Sequence, residues 1–136
     1  KNAKRIANPG CHASGFIALV YPLIEKGILD ENALLSCVSL TGYSGGGKKM
    51  IADYEADNRD VLLDAPRQYG LSQSHKHLPE MTAITGIKNP PAFMPIVGDF
   101  YRGMEILKIF IKKNIQVLWF TLPKILPKTV LFRLIS

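Results

Sequence analysis

The chain has 136 residues, of which 47% are hydrophobic, so it has the length and apolar content of one globular domain and is not expected to be disordered. The net charge is +6, but residues 1–103 carry eleven Lys/Arg against ten Asp/Glu and residues 104–136 carry six against one, and a basic excess confined to one end argues against a nucleic-acid partner. Two cysteines do not form a disulfide framework, so a cytoplasmic, reducing compartment is expected. No apolar run reaches the ~20 residues of a membrane helix, so no membrane partner is expected.

Apolar residues at helical spacing predict the first element, a helix that begins at about Cys11. Gly27 supplies its C-terminal stop, and Pro22 is expected to kink or break it. The next predicted elements are a strand over residues 33–40, a short helix over 48–55, a strand over 68–74, a helix starting near residue 78 and a strand over 93–97. Together these elements predict a mixed α+β pattern.

Cys11 is the first residue that could carry chemistry. It follows Asn-Pro-Gly directly and stands at the predicted helix N-terminus, where free backbone N–H groups and the helix dipole stabilise a thiolate and could hold an oxyanion. The competing interpretation is a small buried hydrophobic residue, which describes most free cysteines. Cys37 alternates with apolar neighbours inside a predicted strand, and there the buried interpretation is preferred.

His75 and His77 form a second candidate cluster. In an extended segment residues i and i+2 point to the same side, so both imidazoles could face one cavity and act as acid and base beside a thiolate. The same pair could supply two metal ligands, but neither His12 nor the cysteines add a recognisable metal spacing, so no metal is expected. Two exposed polar residues in a loop are the remaining alternative.

A glycine-rich loop follows the predicted strand 33–40 and has the sequence GYSGGGKK at residues 42–49. It nearly matches the phosphate-binding pattern G-x-x-x-x-G-K-[ST], but Lys49 stands where that pattern needs a magnesium-binding hydroxyl. An ATPase is therefore not expected. Two interpretations stay open, a glycine-rich backbone that cradles a phosphate and a flexible turn.

Four segments, in order along the chain, resemble motifs of the N-acetyl-gamma-glutamyl-phosphate reductases, relatives of aspartate-semialdehyde dehydrogenase. Residues 6–11 (IANPGC) resemble the family's nucleophile segment, and residues 41–48 (TGYSGGGK) resemble its Ser-Gly-x-Ser-Gly-Ala-Gly-Arg loop. Residues 75–81 (HKHLPEM) are similar to its His-Arg-His-x-Pro-Glu-Ile segment, and residues 102–104 (RGM) are similar to the Arg-Gly-Met that follows.

The resemblance implies an NADPH-dependent reaction of arginine biosynthesis. A cysteine thiolate attacks an acyl phosphate, phosphate leaves, and the thioester is reduced to N-acetylglutamate 5-semialdehyde. The implied fold is α+β, with a mixed, largely antiparallel sheet and helices on one face, as in a glyceraldehyde-3-phosphate dehydrogenase-like C-terminal domain, and a homo-oligomer is expected. His12 and Ala13, in place of the usual Tyr-Pro, indicate the shorter bacterial branch of the family.

The resemblance also implies roles for individual residues. Cys11 would be the nucleophile. Of the two histidines, His75 is favoured as the acid/base because it ends the predicted strand 68–74, and His77 would bind substrate or orient its neighbour. The expected substrate-binding residues are Asn8, Ser44, Arg67 and Lys76, with Lys48 as a further partner for anionic groups. The expected NADP-binding residues are Gly42, Ser44, Gly45 and Gly46.

Two departures from the family shape the expectations for this chain. The family binds NADP on an N-terminal Rossmann domain, but no G-x-G-x-x-G follows a strand here, so a truncated or frame-shifted product without turnover of its own is expected, or a second chain that supplies this half. Residues 1–104 are expected to form the catalytic and dimerisation domain, and residues 105–136 a basic apolar tail whose first residues could form the family's next strand. The alternative function is a non-catalytic phosphate-binding or partner-dependent domain.

Cys11 is predicted to react faster with thiol reagents than Cys37, because a helix N-terminus beside a histidine pair favours the thiolate. Alkylation of the folded chain with iodoacetamide, followed by peptide mass analysis, measures both rates. Equal rates, or faster labelling of Cys37, would remove the nucleophile assignment.

Overall fold

The computed structural model describes residues 4–5, 8–111, 115–122 and 131–135, and it describes side chains as far as Leu107. The helices in this part of the chain are α1 (Cys11–Glu25), α2 (Gly47–Glu55) and α3 (His77–Thr85). The strands are β1 (Leu35–Gly42), β2 (Arg67–Gln68), β3 (Ala92–Gly98), β4 (Met104–Ile111), β5 (Ile115–Leu122) and β6 (Leu131–Ile135). Short 3-10 turns lie at Tyr43–Gly46 and Val61–Asp64.

The described strands form one mixed sheet in the order β2-β3-β1-β4-β5-β6. β1 pairs with β3 in parallel, with Cys37 opposite Phe93 and Gly42 opposite Gly98. The other pairings among these strands are antiparallel. The predicted α+β class with a mixed, largely antiparallel sheet is therefore confirmed. β4 crosses the boundary that the sequence predicted at residue 104, and the division into residues 1–104 and 105–136 stays a prediction.

The helices pack on one face of the sheet, as predicted. Along β1 the side chains alternate between the two faces, and those on the helix side are buried. The core on this side combines residues of α1, α3 and the central strands, among them Ala13, Phe16, Leu19, Val20, Leu35, Cys37, Leu78, Met81, Phe93 and Ile106. α2 adds Tyr54, which packs with Leu63 and Val97 in a second, smaller cluster. Burial of this apolar surface is the main stabilising contribution to the fold.

The end of α1 agrees with the predicted glycine stop. Gly27 has a φ of 63°, a left-handed conformation that glycine adopts without steric cost, and its N–H donates to the Ile24 carbonyl at 2.9 Å. Pro22 lies inside the helix, which continues to Glu25 without a break. None of the described helices has the length and apolar character needed to cross a membrane.

The strand predicted over residues 68–74 is wrong beyond its first residue. β2 consists of Arg67–Gln68 alone. Gly70 has a φ of 65° and Gln73 a φ of 55°, so the backbone leaves the extended conformation at both positions. His75 therefore lies in a loop that leads into α3, and it does not end a strand.

The opposite face of the sheet carries no helix among the described residues. Its central side chains are apolar and partly exposed, namely Val38, Leu40, Ile96 and Leu107. Together with Pro66 and Glu105 they line a shallow cavity of about 360 Å³. We call these four apolar residues the open face.

Candidate functional site

A cavity of about 460 Å³ opens at the N-terminus of α1, beside the carboxyl end of β1 and the loop before α3. Segments that are distant in sequence meet in it. Its lining includes seven of the residues that the sequence predicted, namely Asn8, Cys11, Gly45, Gly46, His75, Lys76 and His77. Pro9, Gly10, His12, Thr41, Met50, Tyr69 and Val97 complete the lining. Because the three motifs with candidate chemistry converge here, we identify this cavity as the candidate active site.

The first turn of α1 forms one wall of the cavity, and Cys11 is exposed there. Gly10 is the N-cap residue and makes no side-chain cap bond, so helix geometry leaves the first N–H groups of α1 without intrahelical acceptors. The Gly10 N–H donates to the Glu80 carboxylate at 3.2 Å, which ties this turn to α3. The Ser14 hydroxyl donates to the Gly10 carbonyl at 2.9 Å. The positive end of the helix dipole therefore lies beside the Cys11 thiol.

His77 lies directly over Gly10. A Cβ atom at position 10 would come within 2.2 Å of the His77 Nε2, so only glycine leaves room for this ring. His77 is 7% exposed, and its Nδ1 is buried without a hydrogen-bond partner among the described residues. Burial, and then the charge of His75, lower the pKa of His77, although Glu80 acts in the opposite direction. The ring is therefore neutral at pH 7 and able to accept a proton.

His75 lies in the loop before α3, with its ring centroid 4.7 Å from that of His77. Its Nδ1 accepts a hydrogen bond from the His77 backbone N–H at 3.3 Å. Gln73 fixes this loop to β3, because its side-chain amide donates to the Phe93 carbonyl at 2.7 Å and accepts from the Phe93 N–H at 2.8 Å. Burial, and then the charge of Lys76, lower the pKa of His75.

His12 is a site residue to which the sequence assigned no role. It is 3% exposed, its Nδ1 lies 2.6 Å from the Ser39 hydroxyl, and its Nε2 lies 2.9 Å from the Tyr69 hydroxyl. Burial, and then the charges of His77 and His75, lower the pKa of His12 from 6.5 to about 4. Ser39 was the available signal, because a hydroxyl at an inward-facing position of a strand requires a buried partner.

Three of the residues that line the cavity are thus histidines whose rings lie close together. The His12 ring centroid lies 6.0 Å from that of His75 and 5.4 Å from that of His77. Even so, the side chains that the structure describes include no group of three His, Cys, Asp or Glu residues that could hold a metal ion. Both ring nitrogens of His12 already have hydrogen-bond partners, and these are Ser39 and Tyr69 and not the other two histidines.

Gly42, Ser44 and Arg67 were also predicted for the site, but they do not line the cavity. Gly42 packs against the turn that follows β3, where an added Cβ would lie 2.6 Å from a backbone carbonyl oxygen. The Ser44 N–H donates to the Tyr101 carbonyl at 3.0 Å. The Arg67 guanidinium lies over the Tyr54 ring, 5.6 Å from its centroid, and lines a different cavity. The binding roles of these three residues stay predictions.

Acidification is predicted to destabilise the fold between pH 6.5 and about 4. His12 has a pKa of about 4 in the folded chain against 6.5 in the unfolded chain, so the unfolded chain binds the proton more readily in this range. The contribution of neutral His12 to the free energy of unfolding is complete above pH 6.5. It is lost as the pH falls, by roughly 2–3 kcal/mol near pH 4.5. The lowered pKa values of His75 and His77 act in the same direction.

Urea unfolding between about pH 8 and pH 4.5 measures this loss. His12→Gln removes the titrating group, so its free energy of unfolding should depend less steeply on pH, whatever its absolute stability. Identical slopes for the wild-type chain and the variant would contradict the prediction.

Comparison with known proteins places this site in a family. Residues 11–117 match the family model described as "Semialdehyde dehydrogenase, dimerisation domain". An N-acetyl-gamma-glutamyl-phosphate reductase of Chelativorans sp. is 46% identical over 102 residues, which cover 75% of this chain and 32% of that protein. N-acetyl-gamma-glutamyl-phosphate reductase 2 of Nostoc sp. is 43% identical over 109 residues, which cover 77% and 34%. The N-acetyl-gamma-glutamyl-phosphate reductase of Rhizobium meliloti is 43% identical over 107 residues, which cover 78% of this chain and 34% of that protein.

The chain thus spans about a third of the length of these curated relatives. The family model, in contrast, matches most of the chain, including the nucleophile candidate, the glycine-rich loop and both histidines of the motif before α3. The chain therefore belongs to the semialdehyde dehydrogenase dimerisation-domain family, in the branch whose curated members are named N-acetyl-gamma-glutamyl-phosphate reductase.

Proposed function

We propose that this chain supplies the acyl-transfer site of an N-acetyl-gamma-glutamyl-phosphate reductase, an oxidoreductase of arginine biosynthesis expected in the cytoplasm. The observation that carries the proposal is Cys11, exposed at the uncapped N-terminus of α1, with the His77 ring held against the preceding Gly10. The names of the similar proteins give the substrate as N-acetyl-gamma-glutamyl phosphate, an acyl phosphate.

The first chemical step is transfer of the acyl group to Cys11. The Sγ thiolate attacks the acyl carbon and forms a carbon–sulfur bond, while the carbon–oxygen bond to phosphate breaks and phosphate leaves with the electron pair. Negative charge develops on the carbonyl oxygen during the attack. The free N–H groups in the first turn of α1 are the donors that stabilise this charge. The product of the step is a thioester on Cys11.

His77 is the residue that accepts the Cys11 proton in this proposal. The sequence favoured His75, but the contact with Gly10 holds His77 against the residue that precedes the nucleophile. Burial lowers the pKa of His77, so its ring is neutral near pH 7 and can act as a base. His75 then orients the start of α3 through its hydrogen bond to the His77 N–H and helps to bind the substrate.

The anionic groups of the substrate bind Lys76, Asn8 and the backbone at Gly45 and Gly46, all of which line the cavity. Lys76 provides the positive charge of the described lining, and Asn8 provides amide donors. Ser44 and Arg67 do not line the cavity, and their binding roles stay predictions.

NADPH, expected from the resemblance, would supply the electrons and hydrogen that convert the thioester to an aldehyde. The described residues offer it one fitting feature, the wall of the cavity at Gly45 and Gly46, which carries no side chains. A dinucleotide fold needs several adjacent parallel strands, and the described strands include a single parallel pair. The chemistry that the described residues support is therefore acyl transfer.

The purified chain is predicted to be acylated on Cys11 by N-acetyl-gamma-glutamyl phosphate, with release of phosphate. Peptide mass analysis and phosphate release measure the reaction. His77→Gln should slow acylation about 100-fold, the lower end of the range for a lost general base, and His75→Gln should slow it less than about tenfold. Cys11→Ser should abolish the thioester, and Cys37→Ala is the matched cysteine control.

A larger loss in His75→Gln than in His77→Gln would return the acid/base role to His75. The absence of acylation in the folded wild-type chain would contradict the proposed function. Phosphate affinity without acylation, retained in Cys11→Ser, would favour the alternative of a non-catalytic phosphate-binding domain.

We also propose that the chain forms a homodimer through the open face. The matched family is described as a dimerisation domain. The open face leaves a contiguous group of apolar side chains partly exposed on the sheet, and a second copy would bury them in a two-fold contact.

Ile96→Lys is predicted to weaken the dimer by at least about tenfold, because it places an unpaired charge in an apolar contact. Analytical ultracentrifugation measures the dissociation constant. Leu62→Lys, at a position that is 67% exposed and outside the open face, is the matched control and should leave the dimer unchanged. A wild-type chain that stays monomeric at high concentration would reject this contact.

A further inference from the structure

His12 connects a buried hydroxyl of the sheet to a phenol at the cavity. Its Nδ1 lies 2.6 Å from the Ser39 Oγ, and its Nε2 lies 2.9 Å from the Tyr69 Oη. Ser39 is fully buried on β1, whereas Tyr69 lines the cavity that contains Cys11. The Tyr69 backbone is fixed to β3, since its N–H donates to the Pro95 carbonyl at 3.0 Å. The three side chains therefore form a continuous path from the core to the cavity.

The directions of these hydrogen bonds follow from the burial of Ser39. A neutral imidazole has one donor and one acceptor nitrogen, and burial keeps His12 neutral at pH 7. If Nδ1 carried the hydrogen, Ser39 would accept it, and the Ser39 O–H would be buried without an acceptor among the described residues. Such an unpaired group is costly. In the other arrangement the Ser39 hydroxyl donates to Nδ1, and the hydrogen of the imidazole lies on Nε2, where Tyr69 accepts it, so both hydrogens have an acceptor.

The second arrangement fixes the direction of the Tyr69 hydroxyl. Nε2 then carries the hydrogen and donates to the Tyr69 Oη, so the O–H of Tyr69 points away from His12. Burial, and then the charge of Cys11, raise the pKa of Tyr69 to about 12, so the phenol keeps its hydrogen and stays a donor. Tyr69 and Cys11 line the same cavity, and the charge of Cys11 acts on Tyr69, so the Cys11 sulfur is an acceptor within the same cavity for this hydrogen.

We propose that Ser39 and His12 are positioning residues that turn the Tyr69 hydroxyl into the cavity as a hydrogen-bond donor to the Cys11 sulfur. The donor stabilises negative charge on the sulfur, which is the form that attacks an electrophile. The importance of the Tyr69 donor for catalysis rests on the acyl-transfer function proposed above, whereas the hydrogen-bond directions do not depend on that function.

The tautomer of His12 is measured by long-range ¹H–¹⁵N correlation spectra of the uniformly ¹⁵N-labelled chain at about pH 7. The His12 signals are assigned by their absence from His12→Gln. The expected pattern is a hydrogen on Nε2 and a hydrogen-bonded, unprotonated Nδ1, whose resonance should move toward that of an unbonded nitrogen in Ser39→Ala. A hydrogen on Nδ1 in the wild-type chain overturns the proposal without the need for any variant.

The donor role of Tyr69 is measured by the rate at which iodoacetamide alkylates Cys11, a reaction that needs no acyl phosphate. Tyr69→Phe should slow alkylation about tenfold at pH 7, the size expected for one hydrogen bond to a charged group. Ser39→Ala should slow it by a smaller factor, because Tyr69 keeps its hydroxyl but loses its fixed direction. Tyr21→Phe, at an exposed position of α1, is the matched control and should keep the wild-type rate.

An unchanged alkylation rate in Tyr69→Phe overturns the proposal, whatever the acylation experiment shows. If the tautomer and the alkylation rates are as expected but the wild-type chain is not acylated, the proposed function fails and this inference stands.

Discussion

The close approach of α1 and α3 at Gly10 is the contact on which the rest of the structure depends. The His77 ring fills the space in which any other residue at position 10 would place its Cβ. Glu80, one turn further along α3, accepts the Gly10 N–H and holds the two helices together at the cavity. Below this contact Phe16 and Met81 are fully buried in the shared core. The packing that closes the core therefore also holds a histidine beside the nucleophile candidate.

The inward side of β1 changes character toward the cavity. Leu35 and Cys37 belong to the apolar core, whereas Ser39 and Thr41, further along the same side, are buried polar residues. Because β1 runs parallel to β3, both strands bring their carboxyl ends to the same edge, and the cavity lies there. His12 supplies the partner that the first of these polar residues needs, so hydrogen bonding and not apolar packing holds the boundary between core and site together.

Local sequence signals were sufficient for most elements. The helix start at Cys11, its glycine stop and the alternation in β1 each depend on neighbouring residues, and the structure has all three. The strand predicted over 68–74 is wrong beyond Gln68 because the backbone has a positive φ at Gly70 and again at Gln73, which pairs with β3 through its side chain. The role of His12 could not be predicted from the sequence for a different reason. Its partners Ser39 and Tyr69 are 27 and 57 residues away, and only the tertiary fold brings them together.

The parallel pairing of β1 and β3 also bears on how the chain folds. Residues 43–91 separate the two strands, so this pairing is non-local. The chain loses the conformational entropy of closing this long loop before the strand contacts form. The cavity takes its lining from residues on both sides of this connection and from within it. The surroundings of Cys11 are thus completed only when the two strands have met. During refolding, the recovery of native thiol reactivity at Cys11 would therefore report the formation of the parallel pair.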